Sequence, residues 1–203
     1  MKNRRILIKM IAGLILIPSL ALGDQGEKIL PRDFRQVQLL MSPAEVKEIL
    51  KQARLKFREE SGTDNLDVSY HLLTTKKAPE GFQQFSYHFS NGKLFTIIVE
   101  YDLLERPVDF TNYLSEVKRK YGEPLEVEET KTAPFDRLFN IKRTTYRWQD
   151  ERTVLEVSYS PPGKEPILGR PAAGTINWII RDRQLAEKEK KERAEKQAQK
   201  QTK

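Results

Sequence analysis

Phe85-Ser86-Tyr87-His88-Phe89-Ser90-Asn91-Gly92-Lys93-Leu94-Phe95 is the stretch on which the fold turns. Asn-Gly between two alternating apolar runs is the strongest short hairpin signal, because both residues tolerate the positive φ that a tight primed turn demands. A two-residue turn sets Phe89 beside Leu94, Tyr87 beside Thr96 and Phe85 beside Ile98 on one face. Phe95, Ile97, Val99 and Tyr101 then fall on the opposite face, so both faces of the returning strand are apolar. Either another segment covers that stripe, with Phe57 or the loop near Phe82 as covers, or it is a contact surface.

Working outward, a second hairpin follows in Tyr146-Arg147-Trp148-Gln149-Asp150-Glu151-Arg152-Thr153-Val154-Leu155. Equivalent pairing puts Trp148 beside Thr153, Tyr146 beside Leu155 and Thr144 beside Val157, with Tyr159 extending the face. Its other face reads Val154, Glu156 and Ser158 against Arg143 and Arg147, a solvated surface with cross-strand ion pairs worth a few tenths of a kcal/mol, roughly.

Each hairpin is preceded by an amphipathic helix. Ser42-Pro43-Ala44-Glu45 combines an N-cap serine, a proline at the first helical position and a capping-box glutamate. Val46, Ile49, Leu50, Ala53 and Phe57 follow at helical spacing. From Asp109 to Tyr121 the spacing recurs in Phe110, Tyr113, Leu114, Val117 and Tyr121, with Gly122 and Pro124 as a stop. Further strands are expected at 67–73, 125–129, 138–145 and 175–181, the last carrying Ile176, Trp178 and Ile180 on one face and Ile179 among the residues between. The expected class is α+β: an antiparallel sheet with two amphipathic helices packed on one face, from two helix-plus-hairpin repeats at about 34–105 and 106–182.

The ends of the chain are of a different kind. Lys2, Arg4 and Arg5 precede an apolar run from Met10 to Leu22 and a small-residue site at Ala21-Leu22-Gly23, the layout of a secretory signal peptide. The run is short for a membrane span, which needs about 20 residues. Cleavage after Gly23 is expected, leaving a periplasmic or secreted chain that touches the membrane only through an uncleaved signal, with 24–33 as a linker. Residues 183–203 are charged and almost free of apolar side chains, so a solvated helix or disordered tail is expected, touching anionic surfaces only weakly.

Net charge is +7, but four of the 36 basic residues lie in the first 23 and eight in the tail, which also holds four of the 29 acidic ones. Between them 24 basic residues face 25 acidic ones, so nothing supports nucleic-acid binding. The absence of cysteine excludes thiol catalysis, thiolate metal sites and a lipoprotein anchor.

The catalytic inventory is thin. His71 and His88 are the only histidines, and no HxH or HExxH spacing joins them. No Gly-x-Ser-x-Gly occurs. The pairs Glu59-Glu60 and Glu128-Glu129 are adjacent, so their carboxylates diverge on a helix or strand. Asn91-Gly92-Lys93 lacks the glycines and following helix of a phosphate loop. We therefore expect no enzyme, no cofactor and no metal, with an uncharacterised hydrolase as the least favoured reading.

Partner binding is the better-supported class. Its candidate residues are Phe95, Ile97, Val99 and Tyr101 on the hairpin, and Ile167, Leu168 and Arg170 in a Pro- and Gly-rich loop over 161–174.

The segment from Phe34 through Leu39-Leu40-Met41-Ser42-Pro43-Ala44-Glu45-Val46 resembles the x-Gly-Met-Ser-x-x-Glu-Val opening of BamE/SmpA/OmlA-like envelope domains, which share an architecture with beta-lactamase-inhibitor proteins. Tyr121-Gly122-Glu123-Pro124 is similar to that family's helix-ending Leu-Gly-x-Pro, and Asn91-Gly92-Lys93-Leu94 to its Asp-Gly-Lys-Leu hairpin. Leu40 departs from the pattern by replacing glycine, the first helix lacks a Gly-x-Pro ending, and the lipoprotein cysteine is missing. The resemblance implies a non-catalytic module that binds another envelope protein. The alternatives are a structural subunit of a periplasmic assembly, or an inhibitor of a secreted enzyme.

Overall fold

In the computed structural model, which describes residues 29–64, 69–75, 82–103, 107–131, 142–164, 171–172 and 174–201, Asn91 and Gly92 have φ of 50° and 71°. Two positive values in succession mark the primed hairpin turn. In chain order the elements are β1 (Asp33–Phe34), β2 (Val37–Gln38), α1 (Pro43–Gln52), β3 (Phe57–Thr63), β4 (Ser69–Thr75), β5 (Phe82–Ser90) and β6 (Lys93–Asp102). There follow α2 (Phe110–Tyr121), β7 (Glu126–Lys131), β8 (Lys142–Gln149), β9 (Thr153–Ser160), β10 (Gly163–Lys164), β11 (Pro171–Ala172), β12 (Thr175–Asp182) and α3 (Arg183–Gln201).

Eight strands form one antiparallel sheet in the order β3-β4-β5-β6-β12-β9-β8-β7. The closing strand β12 does not extend an edge. It inserts between β6 and β9, so the two hairpins meet across the last strand of the chain. This corrects the α+β expectation of two amphipathic helices packed on one face. Among the described residues strand outweighs helix, 48% against 29%, and there are three helices. The sequence pattern missed β3, a sheet edge whose residues FREESGT are mostly exposed and carry little apolar alternation to read. The other edge, β7, falls on the strand expected at 125–129, although its residues 126–130 are exposed as well. Charge on an edge also discourages further pairing.

The first hairpin differs from its expected register. Ser90 pairs with Lys93 and Phe89 with Leu94, but the register then slips, so that Tyr87 faces Ile97 and Phe85 faces Val99. Phe95 is the extra residue of a β-bulge. Because side chains alternate with period two, one inserted residue moves the rest of β6 to the other face. The second hairpin pairs Trp148 with Leu155 and Tyr146 with Val157, two residues from the expected register. An even shift preserves the faces. Asp150 sets that longer turn by accepting from the Arg152 and Thr153 backbone N–H groups at 2.8 and 2.6 Å.

One core results, containing Phe85, Tyr87, Leu94, Ile97 and Val99 of the first half and Trp148, Leu155, Val157, Ile176 and Ile180 of the second. Helix α1 has its capping box, with Ser42 and Glu45 satisfying each other's backbone N–H, and buries Val46 and Leu50. It ends at Gln52, five residues before Phe57, because Arg54 takes a left-handed φ of 55° and Leu55 N–H returns to the Leu50 carbonyl. Phe57 therefore begins β3 and is not the last helical apolar position. Helix α2 is capped by Asp109 and buries Val117 and Tyr121. Its Phe110 stacks on Tyr159 at 3.9 Å, and the Trp148 indole donates to the Gly122 carbonyl at 2.8 Å.

The ends hold more structure than their composition suggests. Residues 29–33 are not a free linker: Leu30 is buried, its N–H donates to Asp150 at 3.0 Å, and Arg32 pairs with Asp182 at 2.7 Å. The signal segment lies outside the described residues. Of the loop over 161–174, β10 and β11 pair as a short hairpin. Gly174 is packed so closely that a Cβ there would lie 2.6 Å from the Pro162 backbone nitrogen. The tail is the helix α3, whose residues Leu185, Ala186, Glu189, Arg193 and Lys196 form a half-buried stripe.

Candidate partner-binding sheet face

With the core on one face, the pairing defines what the other face carries. Ile98 of β6 lies directly opposite Ile179 of β12 at the middle of the sheet. Both are only half-buried. On one side of them Glu156 pairs across with Arg147, and Arg181 lies two residues further along β12. The Glu156 carboxylate accepts from Arg147 Nε at 3.0 Å and from Arg181 Nη1 at 2.6 Å. Arg147 Nη1 continues the chain to Glu126 on the edge strand β7 at 2.6 Å.

On the other side of the isoleucine pair stand Asn177 and Glu100, which are cross-strand partners, and Ser158. Ser158 Oγ lies 2.9 Å from Thr145 Oγ1, and Arg143 Nε donates to Ser160 Oγ at 3.4 Å. Burial first, then the neighbouring Asp102, pushes Glu100 above the usual carboxylate range, with Arg143 opposing. Burial, and secondarily Arg181, pulls His88 below the ordinary imidazole value, which favours its neutral form.

Physically this is an apolar centre inside a polar, charged ring, the anatomy of a non-obligate protein interface. Glu156 is only 7% exposed, yet it holds two guanidinium groups that are about one-third exposed. The arginines are thereby ordered before any partner arrives, which lowers the entropic cost of ordering them on contact. Removing one side of such an arrangement leaves a poorly paired buried charge and is destabilising.

The sequence-expected contact residues are placed elsewhere. Ile97, Val99 and Tyr101 share the face of Phe85 and Tyr87 and are buried in the core, so the expected face is reversed for these three by the bulge. Phe95 alone stays on the expected face, half-buried, with its ring 6.5 Å from that of His88. Ile167, Leu168 and Arg170 lie outside the described residues. The face expected to be solvated in the second half does carry the Arg147–Glu156 pair, but with Glu156 buried and Arg181 added. Ile98 was missed because the bulge is silent in the sequence. Ile179 was legible as the apolar residue breaking the alternation of β12.

His71 and His88 lie on opposite faces of the sheet, although both border the same cleft beside α3. His71 Nε2 lies 2.7 Å from Glu59, which also binds Lys47 of α1, while His88 lies on the other face. Among the described residues no three His, Asp or Glu groups converge to hold a metal ion, and no helix is long and apolar enough to cross a membrane.

The TP0088 domain family model matches residues 32–188, the span from the Arg32–Asp182 ion pair to the first turns of α3. No curated protein and no solved structure matches the chain.

Proposed function

The chain belongs to the TP0088 domain family, and we propose that it is an exported, non-catalytic protein-binding module of a bacterial cell envelope. The observation that carries this reading is the Ile98–Ile179 pair ringed by the Arg147–Glu156–Arg181 network, built jointly by both halves of the chain. The partner is another envelope protein that meets the isoleucines with apolar side chains and the arginines with carboxylates. Such a ring contributes mainly to specificity and association rate, while the small apolar centre contributes to affinity. The recognition surface is thus the polar face of the sheet, in place of an apolar stripe. Two sequence features support the setting: the signal-like leader, and the resemblance to BamE-like envelope domains. Leu40 fits that resemblance, since its φ of 75° is one where glycine is at ease.

Photocrosslinkers placed at Ile98 and Ile179 in the native cell, with Glu48 on the exposed side of α1 as control, test the reading. The expected result is one envelope protein captured at both sheet positions and not at Glu48, with capture lost in Arg181→Glu. Equal capture at all three positions, or a full-length chain retained in the cytoplasm, overturns it.

A further inference from the structure

Strand β7 closes one side of the eight-stranded sheet, and among the described residues no strand pairs with its outer edge. Such an edge presents backbone N–H and C=O groups that can template a further strand. Over Glu126–Lys131 the register against β8 is regular and the strand holds no proline.

Its two faces differ. Val127 lies opposite Tyr146, which in turn pairs with the buried Val157, so Val127 belongs to the core face. Phe110 of α2 reaches the Tyr146 ring at 5.9 Å, yet Val127 stays 53% exposed. Leu125, whose N–H donates to the Arg147 carbonyl at the head of the strand, is 73% exposed. These are two of the three most exposed large apolar side chains among the described residues. The opposite face carries Glu126 and Glu128, across from Arg147 and Thr145. Glu126 and Glu129 hold Arg147 and Lys142 of β8, at 2.6 and 2.8 Å. Glu128 is exposed and is bonded to no cation among the described residues.

Charge decides the occupant. A second copy of β7 added antiparallel sets glutamate opposite glutamate, whichever of Val127, Glu128 or Glu129 lies on the symmetry axis. Like charges directly opposite are destabilising. The glutamates thus guard this edge against a copy of itself, while they attract lysine or arginine on an incoming strand. Apolar residues between those cations would cover Val127.

We propose that β7 is a docking edge, independent of the isoleucine-centred face, for an extended segment of another protein in which basic and apolar residues alternate. Main-chain hydrogen bonds give such an added strand its affinity, and the alternate side chains give it specificity.

The test is amide hydrogen exchange of the full chain, read by NMR, with acetyl-Lys-Val-Lys-Val-Lys-Val-Lys-amide as the probe. Saturable slowing is expected at the β7 amides not bonded to β8, and none at the other sheet edge, β3. The same peptide with glutamate in place of lysine is expected to bind about tenfold more weakly. Glu128→Lys is expected to weaken the basic peptide about tenfold and to leave the unfolding transition in place. With every backbone nitrogen methylated, the basic peptide keeps its charge, loses its donors and should give no protection. Protection from the methylated peptide, or equal protection at β3, would mean charge attraction alone and overturn the proposal. Absence of any slowing at β7 does the same. So do β7 amides that are all protected before peptide is added, because another part of the chain then covers the edge.

Discussion

Leu40 has a left-handed backbone, φ 75°, although it is a branched residue with 39% of its surface exposed. For an L-residue this conformation costs about 1–2 kcal/mol, whereas glycine enters it freely. Glycine also loses more freedom on folding, by about 0.5–1 kcal/mol. Leu40→Gly is therefore expected to stabilise the protein by about 0.5–1 kcal/mol in urea denaturation. Glu100 gives a pH-dependent counterpart. Its folded pKa lies above its unfolded value because of burial and Asp102, so the folded state binds the extra proton between the two. Stability from this site is present below the unfolded carboxylate value and is lost as pH rises through the folded one. Glu100→Gln should raise the melting temperature at pH 7 and change it little near pH 4. An equal rise at both would show that the carboxylate is not what is strained.

Among the elements, β6 concentrates the lesson. Its pattern Phe95-Thr96-Ile97-Ile98-Val99 offers apolar residues on either face, and the bulge at Phe95 decides which are core. Neighbouring substitutions separate the two roles. Ile97→Asp places a charge in the fully buried core and should cost about 4 kcal/mol or more, read as loss of the cooperative unfolding transition. Ile98→Lys, one residue on, should leave the transition in place and abolish capture of the partner. If both unfold the chain, the Ile98 face is covered and is no contact surface. The helices were legible in advance because their signals are local. Ser42 with Glu45, Asp109, and Gly122 each act within four residues of themselves. The edge strand β3 was not, since exposed residues on an edge need satisfy no core, and neither hairpin register was, since register depends on residues that pack across it.

For the whole molecule, α3 and the first described residues act as straps. Arg32 joins Asp182, Leu30 joins Asp150, and Arg193 joins Asp64, which ties both ends to the ends of the sheet. Composition alone describes 183–203 as a tail with nothing to bury. Beyond Leu185 and Ala186 its half-buried stripe is charged, and it packs by ion pairs together with the aliphatic parts of long side chains. Removing residues 184–203 should lower stability by about 1–2 kcal/mol. It should also raise the His88 pKa toward its ordinary value, since burial is the main cause of its depression. NMR titration of the imidazole checks this. An unchanged His88 would mean that the sheet alone buries it.

Local chemistry, written in the chain itself, determined where α1 and α2 start, where the Asn91-Gly92 turn falls, and that two ribbons follow two helices. Those features depend on hydrogen bonds and φ preferences spanning a few residues. Only the tertiary structure decided that β12 lies between the halves, that Phe95 is an extra residue, and that Ile97 is core while Ile98 is surface. Each of those is settled by which distant strand supplies the partner, and the burial gained across the sheet outweighs any preference of the segment taken alone.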